Sequence, residues 1–232
     1  MNWLRQYGYS DCVFCDIVAH QPWEPATFVY EDEDVAVFHN ILGWIPVMLL
    51  VVPRGKIAEA ENGQGRHPHQ EELWRNMGQL GEVAIRMGRA YCQVDGMTQF
   101  RLVCNVGSLA MQSQSHAHVH VLGTRFEPHY PDLRSPESLI YEDKLLSAYR
   151  GGLPSSMDRI GATAVMVVPR EPLTQDEFFA RMGDYGPTVV DLARSHVGNS
   201  YRLLAEVGPH APVADNGAHL FILGGGWLGH YV

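Results

Sequence analysis

The chain has 232 residues, with 17 Lys and Arg against 26 Asp and Glu, a net charge of −9. That acidic balance excludes a general nucleic-acid grip, which needs a basic footprint, but not a small anionic ligand held by backbone N–H groups and a few polar side chains. The length suits one large domain or two small ones, and 46% hydrophobic residues with five Trp argue for a substantial core rather than disorder.

Residues 1–10 read as a short leader without a signal-peptide hydrophobic region. Residues 12–17 read as a compact turn or short helix, broken by Pro22 and Pro25. Cys12 and Cys15, two of four cysteines, read as a metal knuckle or an inert leftover before they read as a disulfide. Residues 27–30 and 35–38 are β-rich, and the acidic stretch between them makes a hairpin turn. Residues 47–52 form a continuous apolar run, which predicts a strand buried on both faces. The apolar stretch 41–52 is too short to span a bilayer and contains Pro46, so a soluble, cytoplasmic protein with no membrane partner is expected. Residues 58–69 are polar and predict a surface loop. Leu73, Met77, Leu80, Val83, Ala84 and Met87 recur at helical spacing, which predicts one helix over 71–91. Residues 99–105 predict a strand and 106–112 a loop.

Residues 116–122 carry the densest chemistry. His116, His118 and His120 alternate with Ala117, Val119 and Val121. In a strand, successive side chains point to opposite faces, so three imidazoles would share one face. Such a row is costly to bury unless it is used. Two chemistries fit: a tris-imidazole metal site, or attack by the middle ring with its neighbours handling protons.

Residues 126–137 contain three Pro and predict a linker, after which the chain repeats itself in the same order. LIYEDKLLSAY at 139–149 matches FVYEDEDVAVF at 28–38, and VMVVPR at 165–170 matches LLVVPR at 49–54. YRLLAEVG at 201–208 matches FRLVCNVG at 100–107, and GAHLFILG at 217–224 matches HAHVHVLG at 116–123. Residues 174–195 supply the matching helix, with Thr174 as its N-cap. The second copy keeps His219 opposite His118. It has Gly217 and Phe221 opposite His116 and His120, Glu206 opposite Asn105, and Val213 and Ala214 opposite Gln112 and Ser113. This predicts a copy that kept the fold and lost the chemistry.

These residues resemble the histidine triad (HIT) family. The resemblance rests on Asn105-Val-Gly-Ser108, Gln112-Ser113 and the alternating triad, together with Cys12-Val-Phe-Cys15, the 35–41 strand and Val51-Val-Pro-Arg54. It implies an α+β fold: two tandem HIT-like copies forming a single-chain pseudo-dimer, with a continuous antiparallel sheet and one long helix per copy. The catalytic copy would span 10–126, the linker 127–137 and the degenerate copy 138–232, the chain acting as a monomer. It implies that His118 attacks the α-phosphorus of a purine nucleotide or dinucleotide, that His120 binds a phosphate oxygen or leaving group, and that His116 orients the row. Gln112, Ser113 and Asn105 would hold phosphate. Phe38, His39, Asn40 and Ile41 would hold the nucleoside, although Asn40 stands where many members have Asp. From the other copy, Trp227 or Tyr231 would wall the site.

No cofactor would be required for catalysis. A structural zinc could take Cys12, Cys15 and His116. Lys56 stands where many members have a fourth ligand His, and His67 or His69 could replace it. The substrates implied are nucleoside phosphoramidates or dinucleoside polyphosphates, with Gly123 leaning towards the Hint-like branch. Two alternatives stay open: a non-catalytic nucleotide sensor, and a metalloprotein built on the His row.

Overall fold

The computed structural model describes residues 12–22, 24–54, 70–75, 78–125, 130–152, 163–208 and 217–224. Among these, ten strands join in one sheet, ordered β1-β2-β3-β7-β6-β11-β12-β10-β9-β8. In chain order they are β1 Phe28–Glu31, β2 Val35–His39, β3 Val47–Pro53, β6 Phe100–Val106, β7 Val119–Gly123, β8 Leu139–Glu142, β9 Leu146–Gly152, β10 Thr163–Pro169, β11 Tyr201–Val207 and β12 Leu220–Gly224. A separate small hairpin pairs β4 Gln93–Val94 with β5 Met97–Thr98. All strand pairs are antiparallel.

The strand order runs outward from a central seam, where β6 lies antiparallel to β11 with Asn105 opposite Arg202 and Arg101 opposite Glu206. Each block matched in the sequence finds its counterpart at the same distance from this seam. The two hairpin turns are also built alike. Asp32 Oδ1 accepts from the N–H groups of Asp34 and Val35, and Tyr30 Oη donates to Asp32. Asp143 Oδ1 accepts from those of Leu145 and Leu146, and Tyr141 Oη donates to Asp143.

Period-two alternation sorts the side chains. Val35, Val37, Leu49, Val51, Leu102, Cys104, Val119 and Val121 face the helices and join one core with Leu203, Leu220 and Ile222. The opposite face carries Ala36, Phe38, Leu50 and Val52 under α1 Val13–Val18, with Arg101, Asn105, His120, Arg202 and Glu206 nearer the seam. The strand β3, flanked by β2 and β7, is buried on both faces as its unbroken apolar run predicts.

The predicted helix over 71–91 is instead two helices, α2 Gln70–Arg75 and α3 Gly78–Tyr91, with residues 76 and 77 outside the described set. Their counterparts are α4 Gln175–Ala180 and α5 Met182–His196. The Thr174 cap is a full capping box. Its hydroxyl accepts from the Glu177 N–H, and the Glu177 carboxylate accepts from the Thr174 N–H. The triad strand is also shorter than predicted: β7 begins at Val119, so His116 and His118 precede it. Here side-chain bonds to the backbone replace strand pairing. The loop expected at 58–69, and Lys56, His67, His69, Val213, Ala214, Trp227 and Tyr231, lie outside the described residues.

Candidate active site

The three imidazoles are buried on the face of the sheet that carries α1. Each ring's tautomer follows from its partners, because a carbonyl can only accept. His118 Nδ1 lies 2.7 Å from the His116 carbonyl oxygen, so Nδ1–H donates and Nε2 keeps its lone pair. That Nε2 sits 3.1 Å from His120 Nε2, so with both rings neutral His120 carries the shared proton. Burial pushes the His118 imidazolium down to about 4, partly offset by the His116 carbonyl. Burial first, then the charges of His118 and Arg202, hold His120 well below the usual range.

The backbone of His118 is fixed from α2. Gln70 Nε2 donates to the His118 carbonyl at 2.5 Å, and Gln70 Oε1 accepts its N–H at 2.9 Å. One buried amide thus satisfies both backbone groups of the middle residue. Gln175 clamps His219 the same way, at 2.8 and 2.9 Å. Sequence reasoning missed both glutamines. The signal was present as a further matched block, QEEL at 70–73 against QDEF at 175–178, hidden by reading α2 as the start of one longer helix.

Arg202 was also missed. From β11 it crosses the seam and donates Nε–H to Asn105 Oδ1 at 2.8 Å. Its counterpart Arg101 crosses the other way and meets Glu206, at 2.8 Å through Nε and 2.5 Å through a terminal nitrogen. The strand register, which a single sequence does not give, creates both contacts.

The remaining predicted residues are placed as follows. Gln112 is spent on its own loop: Oε1 accepts the Gly107 N–H at 2.8 Å, and Nε2 donates to the Gln114 carbonyl at 2.9 Å. Gly107 makes that turn at φ +79°, a conformation suited to glycine. Ser113 is exposed. Phe38 is buried edge-on to Phe14 and Phe28, and Phe14 in turn packs edge-on to His118. His39 is exposed. Asn40 Oδ1 caps its own turn by accepting the Leu42 N–H, and Ile41 is 95% exposed.

Cys12, Cys15 and His116 converge, their ligand atoms all within 4.8 Å of one another. His116 Nε2 donates to the Pro53 carbonyl, which turns the Nδ1 lone pair towards Cys12 Sγ at 3.4 Å and Cys15 Sγ at 3.3 Å. A hydrogen bond from the Cys15 thiol holds Cys12 far below the ordinary thiol range, at about 4, and the Cys12 thiolate pushes Cys15 up. Tetrahedral zinc places bound sulfur and nitrogen about 3.6 Å apart, so this set fits such an ion with little movement.

A HIT domain profile matches residues 21–127. A "14 kDa zinc-binding protein" of Zea mays is 34% identical over 122 residues, which cover 53% of this chain and 88% of the relative. The chain belongs to the HIT family. "Protein HitA" of Neisseria gonorrhoeae is 31% identical over 115 residues, or 50% of this chain and 97% of the relative. Both HIT relatives account for about half of the chain. A solved ADP-glucose phosphorylase of Arabidopsis thaliana with bound ADP-glucose covers 93% of this chain and 81% of its own, at TM-score 0.56 and 12% identity. That likeness extends the fold similarity over both halves.

Proposed function

We propose that this HIT protein is a nucleotide hydrolase or nucleotidyl transferase working through a covalent nucleotidyl-His118, on nucleoside phosphoramidates or dinucleoside polyphosphates. The observation that carries the reading is the tautomer chain His116 carbonyl, His118, His120. The His118 Nε2 lone pair attacks the α-phosphorus and forms the N–P bond. The bond from phosphorus to the leaving group breaks, and its electron pair leaves with that group, which accepts a hydrogen bond from His120 Nε2–H and takes its proton from solvent. The imidazolium character on His118 is stabilised by the His116 carbonyl at Nδ1. Water then attacks phosphorus and gives up a proton to solvent, the N–P bond breaks with its electron pair returning to His118 Nε2, and the mononucleotide departs. Substrate must enter between the two Nε2 atoms, since at 3.1 Å His120 occupies the nucleophile's lone pair.

Asn105, with Arg202 behind it, and Ser113 at the surface are the groups we assign to phosphate. Phe38 to Ile41 are assigned to the nucleoside. Trp227 and Tyr231 are assigned to the wall from the other half. The palindromic strand order, the matched Asp turns and the paired glutamine clamps support reading the chain as an internal duplication. One half would be live, 10–126, and one spent, 138–232, with the whole acting as a pseudo-dimer without a second chain. Intact-mass analysis after brief incubation with adenosine phosphoramidate and with diadenosine polyphosphates tests the chemistry. One nucleotidyl adduct per chain, lost when His118 is replaced, is expected; turnover that persists without His118 sinks the reading.

The clamp gives a separate expectation. Gln70→Leu leaves the buried His118 N–H without its partner and its carbonyl with the Cys104 thiol at 3.4 Å, at about 1–3 kcal/mol for the N–H alone. Melting should fall, and kcat should drop more than KM changes. Gln70→Glu keeps one of the two bonds and should recover part of kcat. Equal kcat in all three proteins would show that the clamp does not position the nucleophile.

Cys12, Cys15 and His116 would hold a structural zinc, which would tie α1 to the triad backbone and take no part in phosphorus transfer. About one zinc per chain is expected by elemental analysis, with Cys15→Ser losing both the metal and several degrees of melting temperature. Metal-free protein of unaltered stability would remove zinc from the account.

A further inference from the structure

Taking His118 as the nucleophile proposed above, we infer that Glu71 is a positioning residue through which the second half holds that nucleophile in place. Arg194 and Tyr201 grip the Glu71 carboxylate, and the same turn of α2 carries the Gln70 clamp on His118.

Helix α2 has only six residues, too few to be stable alone, so its contacts set where it lies. Those contacts come largely from the other half. Among the described residues α2 packs mainly on α5, and Trp74 meets Phe179 of α4 edge-on. Glu71 fixes the helix in that bed. Arg194 Nε donates to its Oε1 at 3.0 Å, a terminal nitrogen of Arg194 donates to Oε2, and Tyr201 Oη donates to Oε1 at 2.9 Å. A planar fork on two oxygens, with a phenol on one of them, defines both the position and the rotation of the carboxylate. The residue before it, Gln70, spends its buried amide on the His118 N–H and carbonyl. Rotation of α2 about its axis would therefore move the His118 backbone and, with it, the ring.

The second half carries the mirror arrangement, with one difference. Asp176 follows Gln175 as Glu71 follows Gln70, and Arg89 and Arg194 stand equally far beyond the two glutamines. Arg89 Nε donates to Asp176 Oδ2 at 2.9 Å and a terminal nitrogen to Oδ1 at 2.6 Å, and α4 packs on α3. Each half's arginine thus holds the other half's clamp. Tyr201 breaks the symmetry: its matched residue is Phe100, which has no hydroxyl to offer Asp176. The added bond falls on the side that has the triad. Both arginines are about half exposed, and such ion pairs add little to stability, so the expected effect is on position rather than on melting.

Amide hydrogen exchange read by NMR on the full chain, beside steady-state kinetics with adenosine phosphoramidate, tests this on the mirror pair Glu71→Ala and Asp176→Ala. Glu71→Ala should speed exchange of the His118 N–H at least about tenfold and leave that of His219 unchanged, and Asp176→Ala should do the reverse. Glu71→Ala should lower kcat at least about fivefold with KM within about twofold, Tyr201→Phe should lower it by a smaller factor, and Asp176→Ala should leave it unchanged. Glu71→Gln keeps an acceptor for Tyr201 Oη and should recover part of the rate. Combined with Gln70→Leu, Glu71→Ala should add nothing to the loss, because both act through one amide. Unchanged His118 exchange in Glu71→Ala, faster exchange at both histidines in both variants, or multiplied losses with Gln70→Leu would each overturn the inference. Faster His118 exchange in Glu71→Ala, with no nucleotidyl adduct in the unaltered protein, would instead remove the His118 chemistry and leave the hold on its backbone standing.

Discussion

His118→Ala should reduce turnover of adenosine phosphoramidate and of diadenosine polyphosphates by at least about 10³-fold and abolish the nucleotidyl adduct, because it removes the atom proposed to bond to phosphorus. The substitution also empties a buried site, so its melting temperature must be read beside its rate. His120→Phe separates chemistry from packing. It installs the residue that Phe221 already occupies in the second half, so the fold tolerates an aromatic ring there. It removes the hydrogen bond offered to the leaving group while leaving the nucleophile. Its loss should therefore grow with the charge that builds on that group, small for a good leaving group and about 10²–10³-fold for a poor one. A uniform loss across leaving groups would reassign His120 from hydrogen-bond donor to spacer. Retained turnover in His118→Ala would leave the metalloprotein reading standing, whereas binding without turnover in the unaltered protein would favour the sensor.

The sequence made the sheet strands legible because their patterns are local: unbroken apolar for β3, alternating for β7, acidic turns between hairpin strands. The internal sequence repeat was legible too, since HAHVHVLG and GAHLFILG share a length and stand in the same order among the matched blocks. What stayed hidden depends on register or on partners far along the chain. Period two placed three histidines on one face, but His116 and His118 precede β7: Gln70 takes the His118 backbone N–H and carbonyl, and His118 Nδ1 takes the His116 carbonyl. The resemblance implies a phosphate role for Gln112, but no local pattern gives the bonds its amide makes within its own loop, to Gly107 and Gln114. Arg101 and Arg202 carry no local signal of the partners they meet. That each ends up buried on the far side of the seam follows from the pairing of β6 with β11, which no local pattern encodes.

That seam yields the second large effect. Arg202 and Arg101 occupy equivalent places, both buried; across the seam Arg202 donates to the Asn105 amide and Arg101 to the Glu206 carboxylate. Glu206→Met takes away the carboxylate opposite a buried guanidinium, a change that typically costs about 3–5 kcal/mol, and thermal melting should fall accordingly. Arg202→Met removes the bond that Arg202 Nε makes to Asn105 Oδ1, at about 1–3 kcal/mol for that buried hydrogen bond. Its expected cost in rate is larger. A fixed positive charge beside Asn105 and His120 is positioned to favour the charge that develops on phosphorus oxygens, and losing one such preorganised group costs about 10²–10³-fold in kcat. Arg202→Lys keeps the charge without the planar fork and should fall between the two. Urea titrations and steady-state kinetics on the same preparations separate the outcomes. If Arg202→Met kept kcat within twofold, the second half would serve the site by packing alone. The larger loss would mean that the half without a triad still supplies charge to the half that has one, which would explain why β11 kept an arginine at a buried position where a bare sheet would favour an apolar side chain.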